Sequence, residues 1–335
     1  MRKIQKFLVN GLIMTATSLV MSLVGVWFSV YISNKIGTEA MGLFQLIMSV
    51  YSFSVTMATS GIHLAATRLV AEELGYNRPQ GVKAAMRRCL GYSIFFGVGT
   101  ALLLYFFADW IGTSCLQNEQ TVLPIRVMAL SLPFLAMSSA LTGYFTGVRR
   151  VVKNASVQII EQFVKIFLTM ILLSFFMPAG LQYACLSLII AGIVSEVTSF
   201  LCSFALYLWD RKCYESKSPI PGGILSRLIK IALPIAMSSY LRSGLLTLKN
   251  LLVPIRLKKG GIPSSEAYAA FGMIHGIALP VVLFPSSFLA SFANLMIPEL
   301  TEQQAADPNI SQSERVHFLI NRMFQISLIF SIGVA

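Results

Sequence analysis

The stretch SVQIIEQFVKIFLTMILLSFF, residues 156–176, decides the fold class. It is long enough to cross a bilayer, whose hydrocarbon core needs about 20 apolar residues in helical form. Yet Glu161 and Lys165 stand well inside it. Counted from Asn154, the polar residues Asn154, Gln158, Glu161, Lys165 and Thr169 follow one another at spacings of 4, 3, 4 and 4. That spacing places them on one face of a helix. A polar stripe running through a membrane helix is not expected to face lipid. It predicts either a neutralised Glu–Lys pair that holds helices together or one wall of an aqueous cavity.

The surroundings repeat the pattern of an apolar span. Residues 7–34, 40–67 and 89–108 carry no Asp, Glu, Lys or Arg at all. The whole chain is 56% hydrophobic and 12% charged, about half the charge of a soluble domain, and its mean hydropathy is +0.72. The expectation is therefore an all-α, polytopic membrane bundle. Nine spans are predicted, over 9–33, 40–68, 89–108, 122–148, 154–177, 181–209, 231–255, 267–297 and 317–335. The opening MRKIQK precedes an apolar run far longer than a signal core, so it reads as a retained first helix. The chain ends within the ninth apolar run at Ala335, which predicts a longer natural protein.

Charge sets the orientation. With the N-terminus in the cytoplasm, the first four inner segments carry fifteen Lys and Arg, against Lys35 alone in the first three outer loops. The later loops obey this rule less well: RLKKGGIPSSE carries three cations on the side expected to be outside. A faint internal duplication accounts for the difference. GTEAMGLFQLIMSVYSF from Gly37 aligns with SSEAYAAFGMIHGIALP from Ser264 at an offset of 227 residues, and the same offset carries Glu72 onto Glu299. Six helices separate equivalent points, so the two lobes have the same topology and an axis along the membrane normal. The division is residues 1–209 as a six-helix lobe, 210–230 as a cytoplasmic linker, and 231–335 as part of a second lobe.

Charged residues inside hydrocarbon cost roughly 2.5–3.5 kcal/mol each at the centre and usually face an interior or a water-filled cavity. Arg68 and Arg126 lie near span ends, where a long side chain reaches the headgroups. Arg242, Lys249 and Arg256 are seven residues apart and form a nearly straight cationic stripe with no acid among them. Like charges are poor glue but suit an anionic ligand, most readily a phosphate. The acids Glu161 and Glu196 are candidates for coupling to a proton or a sodium ion. Pro133, Pro234, Pro280 and Pro285 predict bends. The five cysteines and three histidines form no metal-ligand spacing, and there is no GxxxxGK[ST], GxSxG or HExxH. No catalytic site, metal or cofactor is expected.

Four segments carry a resemblance: SGIHLAATRLVAEE (60–73), LTGYFTGVRRVVKNASVQIIEQFVKI (141–166), IALPIAMSSYLRSGLLTLKNLLVPIRL (231–257) and GIALPVVLFPSSFLASFANLMIPEL (276–300). In this order they resemble the polysaccharide-flippase branch of the multidrug/oligosaccharidyl-lipid/polysaccharide exporter superfamily, in its sporulation and polysaccharide-biosynthesis group. The resemblance implies a two-lobed, MATE-like fold around a central cavity, with the second lobe cut short here. It implies alternating-access transfer of a lipid-linked saccharide, such as a polyprenyl-diphosphate glycan, across the cell membrane. Arg68, Glu161 and Arg256 match the family pattern. The expected anion-binding residues are Arg242, Lys249, Lys165, Arg256 and Arg68. The expected partners are an anionic lipid-linked glycan and membrane lipid, not nucleic acid. Two alternatives stand beside this reading: a cation-coupled multidrug exporter of the same fold, and a membrane scaffold for envelope assembly. The glycan, the energy source (proton, sodium or membrane potential) and the oligomeric state are left open.

Overall fold

The computed structural model describes residues 2–176, 181–211 and 223–283, with isolated positions between 321 and 332. Among the described residues there are helices and no strand. In chain order they are α1 (Arg2–Ile36), α2 (Thr38–Thr59), α3 (Ile62–Gly75), α4 (Pro79–Trp110), α5 (Val122–Ala129), α6 (Leu132–Gly147), α7 (Val151–Phe176), α8 (Leu181–Asp210), α9 (Ile224–Lys259), α10 (Ser264–Met273) and α11 (Leu279–Leu283).

Five of these units are long and apolar enough to cross a membrane: Thr38–Gly75, Pro79–Cys115, Val152–Phe176, Tyr183–Asp210 and Ile224–Lys259. A sixth is the pair Glu119–Ala129 and Leu132–Gly147, bent by 47°. The bend falls where Pro133 opens α6, as proline's missing N–H and fixed φ favour. The first predicted span lies inside α1. The eighth is described only as far as Leu283, and the ninth lies outside the described residues apart from isolated positions. Pro234 does not end its helix: α9 runs unbroken past both Pro234 and Pro254, and begins at Ile224, inside the stretch expected as a linker.

One break was not predicted. The span expected over 40–68 is divided at Ser60 and Gly61, whose φ values of 46° and 71° are left-handed. A side chain at Gly61 would lie 3.0 Å from the Ala232 carbonyl oxygen of α9, so the missing Cβ lets α9 cross closely there. Tyr240 of α9 donates to the Ser60 hydroxyl at 2.7 Å, and Tyr92 of α4 shares a hydrogen bond with it at 2.9 Å. Three helices are thus pinned at one non-helical point.

Small residues set the other close crossings, as in membrane bundles generally. Gly143 and Gly147 of α6 pack onto α3, where a Cβ would meet the His63 and Thr67 carbonyl oxygens at 2.5 and 2.9 Å. Gly42 of α2 crosses Gly272 of α10 so closely that a Cβ at Gly272 would lie 2.4 Å from the Thr38 oxygen. These are the two segments matched by the duplication, and they pair directly. Large residues such as Ile47, Leu132 and Phe271 are buried between α2, α6 and α10, while Met86, Leu141 and Phe145 fill the space among α3, α4 and α6. The outward faces are apolar too. Phe95, Phe106, Phe163 and Phe175 are 69–74% exposed, a belt that only lipid would cover favourably.

Candidate functional site

Two groups of polar residues stand within the apolar spans, one enclosed among α2, α3, α6, α7 and α8 and one along α9. The first is built on α7 and α8. Asn154 and Thr169 of the polar stripe are buried, Glu161 and Lys165 are half-buried, and Gln158 is exposed, while Phe163 and Phe167 occupy the outer side. The stripe is therefore turned inward over most of its length, as its spacing predicted. No salt bridge joins Glu161 to Lys165 among the described residues. Glu161 instead lines a cavity together with Ser199 of α8.

Glu196 lies beside it. The Tyr51 hydroxyl of α2 donates to the Glu196 carboxylate, 3.0 and 2.9 Å from its two oxygens, and is itself hydrogen-bonded to Ser131 at the α5–α6 bend. With the Tyr51 proton directed at Glu196, the single Ser131 proton serves Tyr51, and the Met128 carbonyl 3.0 Å away is its alternative acceptor. A cavity of about 260 Å³ opens between these helices. Glu161, Glu196 and Ser199 form one wall, and Ser138, Ser139 and Thr142 of α6 another. Thr59 and His63 close it from the α2–α3 break. Two carboxylates and a ring of hydroxyls can hold a proton or a small cation. They offer little to an anion.

Sequence reasoning found Glu161, Lys165 and Glu196 but missed Tyr51, Ser131 and His63. A partial signal existed for α8: Ser199 and Ser203 follow Glu196 at spacings of three and four, and both serines are buried. No comparable signal pointed to Tyr51.

The second group is the α9 stripe. One side of α9 is fastened to α2 and the α2–α3 break. Ser243 receives a hydrogen bond from Thr56, Thr247 donates to the Ser49 carbonyl at 3.1 Å, and Asn250 donates to the Ser49 hydroxyl at 3.0 Å. Arg242, Lys249 and Arg256 project from a different side and are all exposed. None forms a salt bridge among the described residues. Lys249 lies within electrostatic range of His275, which stacks on Phe271 with ring centroids 4.2 Å apart. Neither acid pairing nor burial in protein accounts for these cations.

Arg68 does not join them. Within α3 it forms a salt bridge with Glu72 at 2.9 Å, its side chain 51% exposed. Arg227 of α9 reaches the same place, pairing with Glu73 at 2.5 Å. Arg242 is fifteen residues further along α9, about 22 Å of helical rise. Arg126 likewise pairs with Asp109 at 2.5 Å and lies over the Tyr105 ring. Arg68 and Arg126 thus carry local ion pairs, and Arg242, Lys249 and Arg256 do not.

Two structural networks escaped sequence reasoning. Glu73 is fully buried and takes its cation from α9. Asp210, 2% exposed at the end of α8, pairs with Arg150, accepts from Lys153 at 2.8 Å and from Tyr144 at 3.0 Å. Both lie at the end of the bundle where α4, α7 and α9 begin.

Comparison with known proteins agrees with this architecture. Residues 7–258 match the family described as polysaccharide biosynthesis protein. The chain is 25% identical over 303 residues to stage V sporulation protein B of Bacillus subtilis (strain 168), covering 89% of this chain and 58% of that protein. It is 19% identical over 277 residues to sporulation protein YkvU of the same organism, covering 82% and 60% of the two chains. It therefore spans somewhat more than half the length of these relatives. Among solved structures, the MATE multidrug transporter DinF-BH superposes with a TM-score of 0.72 at 16% identity, over 98% of this chain and 71% of that one.

Proposed function

The chain belongs to the polysaccharide biosynthesis protein family and has the MATE-like membrane fold, and from that premise we propose that it serves an alternating-access transporter for an anionic lipid-linked saccharide. The substrate class is a polyprenyl-diphosphate glycan, moved from the inner to the outer leaflet of the cell membrane during cell-wall, spore or surface-polysaccharide assembly. The observation that carries this reading is the cationic stripe of α9. Arg242 and Lys249 within the span expected over 231–255, and Arg256 just past its end, are exposed and lack acid partners among the described residues. Retaining them is unfavourable unless water or a phosphate satisfies them.

In this reading the diphosphate lies on Arg242 and Lys249, with Arg256 and Lys165 adding positive potential and the isoprenoid tail remaining in lipid. Arg68 belongs to the charge-rich mouth, where its guanidinium is shared with Glu72. Residues 1–209 form one lobe and residues 231–335 contribute to the other, with α9 already running through the last part of the 210–230 connection. The N-terminus and the charge-rich ends face the cytoplasm, as the positive-inside rule favours. Glu161 and Glu196 supply the coupling site. A proton or sodium ion held between them changes the charge of the first lobe without competing for the anion.

The test is to change Arg242 and Lys249 separately to Ala in the full-length protein and to measure lipid-glycan transfer in reconstituted vesicles. A charge-assisted hydrogen bond is worth about 1.5–3 kcal/mol, so each change is expected to weaken substrate binding roughly tenfold to a hundredfold. Undiminished transfer in both variants would remove the cationic track. Preferential binding of cationic dyes over lipid diphosphates would instead assign the chain to multidrug export.

A further inference from the structure

A second concavity of about 450 Å³ lies between α4 and α9, lined by Arg87 to Phe96 on the one and Leu225 to Leu233 on the other. Its walls are apolar. Tyr92, Phe95 and Phe96 line it from α4. Leu225, Ile229 and Leu233, each one helical turn from the last, line it from α9. Arg87 and Arg88 close one end. Both arginines are exposed, and neither forms a salt bridge among the described residues.

Depth gives the groove its polarity. Residues 89–108 carry no charge, so Arg87 and Arg88 mark the level where α4 leaves the headgroups. Phe95 and Phe96 lie eight residues deeper, about 12 Å along the helix, at the level of acyl chains. Gly91 stands between the arginines and the phenylalanines, and a Cβ there would meet no atom within 4 Å. The floor of the groove is therefore open at that point. Arg87 also borders a neighbouring pocket of about 570 Å³, with Lys83 of α4 and Arg211 after α8. No acid lines either concavity among the described residues.

We infer that this groove binds an anionic phospholipid, with the phosphate on Arg87 and Arg88 and one acyl chain lying over Gly91 between Phe95 and Leu233. An apolar wall alone would face any lipid equally. What makes this one selective is a pair of guanidiniums, each presenting several donors, at the end of an apolar channel. Basic pockets between membrane helices recognise anionic headgroups in this way. Lys83 and Arg211 extend the positive field past Arg87, which disfavours zwitterionic lipid further.

The experiment uses full-length protein reconstituted in phosphatidylcholine vesicles containing a minor fraction of phosphatidylglycerol. The protein is re-extracted in mild detergent, and the retained lipids are quantified by mass spectrometry. The wild type is expected to retain phosphatidylglycerol at least fivefold above its share of the vesicle. The double variant Arg87→Gln, Arg88→Gln is expected to return that ratio to the vesicle value. Gly91→Leu is expected to do the same by filling the chain channel with both arginines intact. Unfolding midpoints equal to wild type confirm that both variants are folded. Enrichment that survives in both variants overturns the proposal. So does retention of a glycan-linked diphosphate in place of phosphatidylglycerol, which would assign the groove to the transported substrate. Arg242→Gln with Lys249→Gln should leave the enrichment unchanged, so this site and the α9 stripe can fail separately.

Discussion

The contact between Arg227 and Glu73 predicts an asymmetry that tests how α3 and α9 are joined. Glu73 on α3 is fully buried, while the Arg227 side chain on α9 is 32% exposed, and they meet at 2.5 Å. The second Glu73 oxygen has no hydrogen-bond partner and lies over Gly81, whose Cβ, if present, would sit 2.0 Å away. Arg227→Gln therefore leaves a carboxylate in a closed space with no cation. Breaking a buried pair in this way costs about 3–5 kcal/mol. The lower end applies here, because Gln can still donate one neutral hydrogen bond. Glu73→Gln leaves Arg227 with the Glu72 carboxylate, 3.7 Å away, and with solvent. Its expected cost is about 1 kcal/mol, a typical net hydrogen bond.

The assay is thermal unfolding of purified full-length protein in detergent, followed by intrinsic fluorescence. A change of 1 kcal/mol moves the midpoint of a large domain by about 2–4 °C. Arg227→Gln should therefore lower it by roughly 6–12 °C and Glu73→Gln by roughly 2–4 °C. The double variant should recover most of the larger loss, since no buried charge is then stranded. Equal midpoints for the two single variants, or a greater loss for Glu73→Gln, would refute the burial reasoning.

Three further outcomes follow from the packing. Gly143→Leu should part α3 from α6, because even its Cβ falls 2.5 Å from the His63 oxygen; loss of folded protein on size-exclusion chromatography checks this, with the lipid-facing Gly99→Leu as the tolerated control. Tyr51→Phe removes the hydroxyl that bonds both Ser131 and Glu196 across the bundle; if Glu196 serves coupling, transfer should lose its dependence on an imposed ion gradient while lipid binding at α9 is retained. Asp210→Asn should destabilise the bundle by about 2–3 kcal/mol, since Arg150 and Lys153 lose a charge-assisted acceptor but are partly hydrated, and raising the salt concentration should not reproduce the effect because the carboxylate is buried.

Within single helices the sequence was a sufficient guide. The length of the apolar runs decided that the chain is a helical membrane protein, because an exposed backbone is intolerable in hydrocarbon and each span must satisfy its own hydrogen bonds. The spacing of Asn154, Glu161, Lys165 and Thr169 likewise marked the inward face of α7, and that of Arg242, Lys249 and Arg256 a separate face of α9. The bend at Pro133 was legible for the same reason, since it is a local property of the backbone.

Contacts between helices were not legible. Glu73 and Arg227 are 154 residues apart in the chain, and Tyr51 and Ser131 are 80 apart. Helical periodicity says which face a residue occupies but not which neighbour that face meets. The α2–α3 break also depends on tertiary structure: Ser60 and Gly61 leave the helix where Tyr92 and Tyr240 arrive to bond the freed serine hydroxyl. Only the packed bundle could decide that Glu73 takes its cation from Arg227 while Arg242, Lys249 and Arg256 on the same helix are left exposed. The energy of a charge depends on the groups brought beside it from elsewhere in the chain.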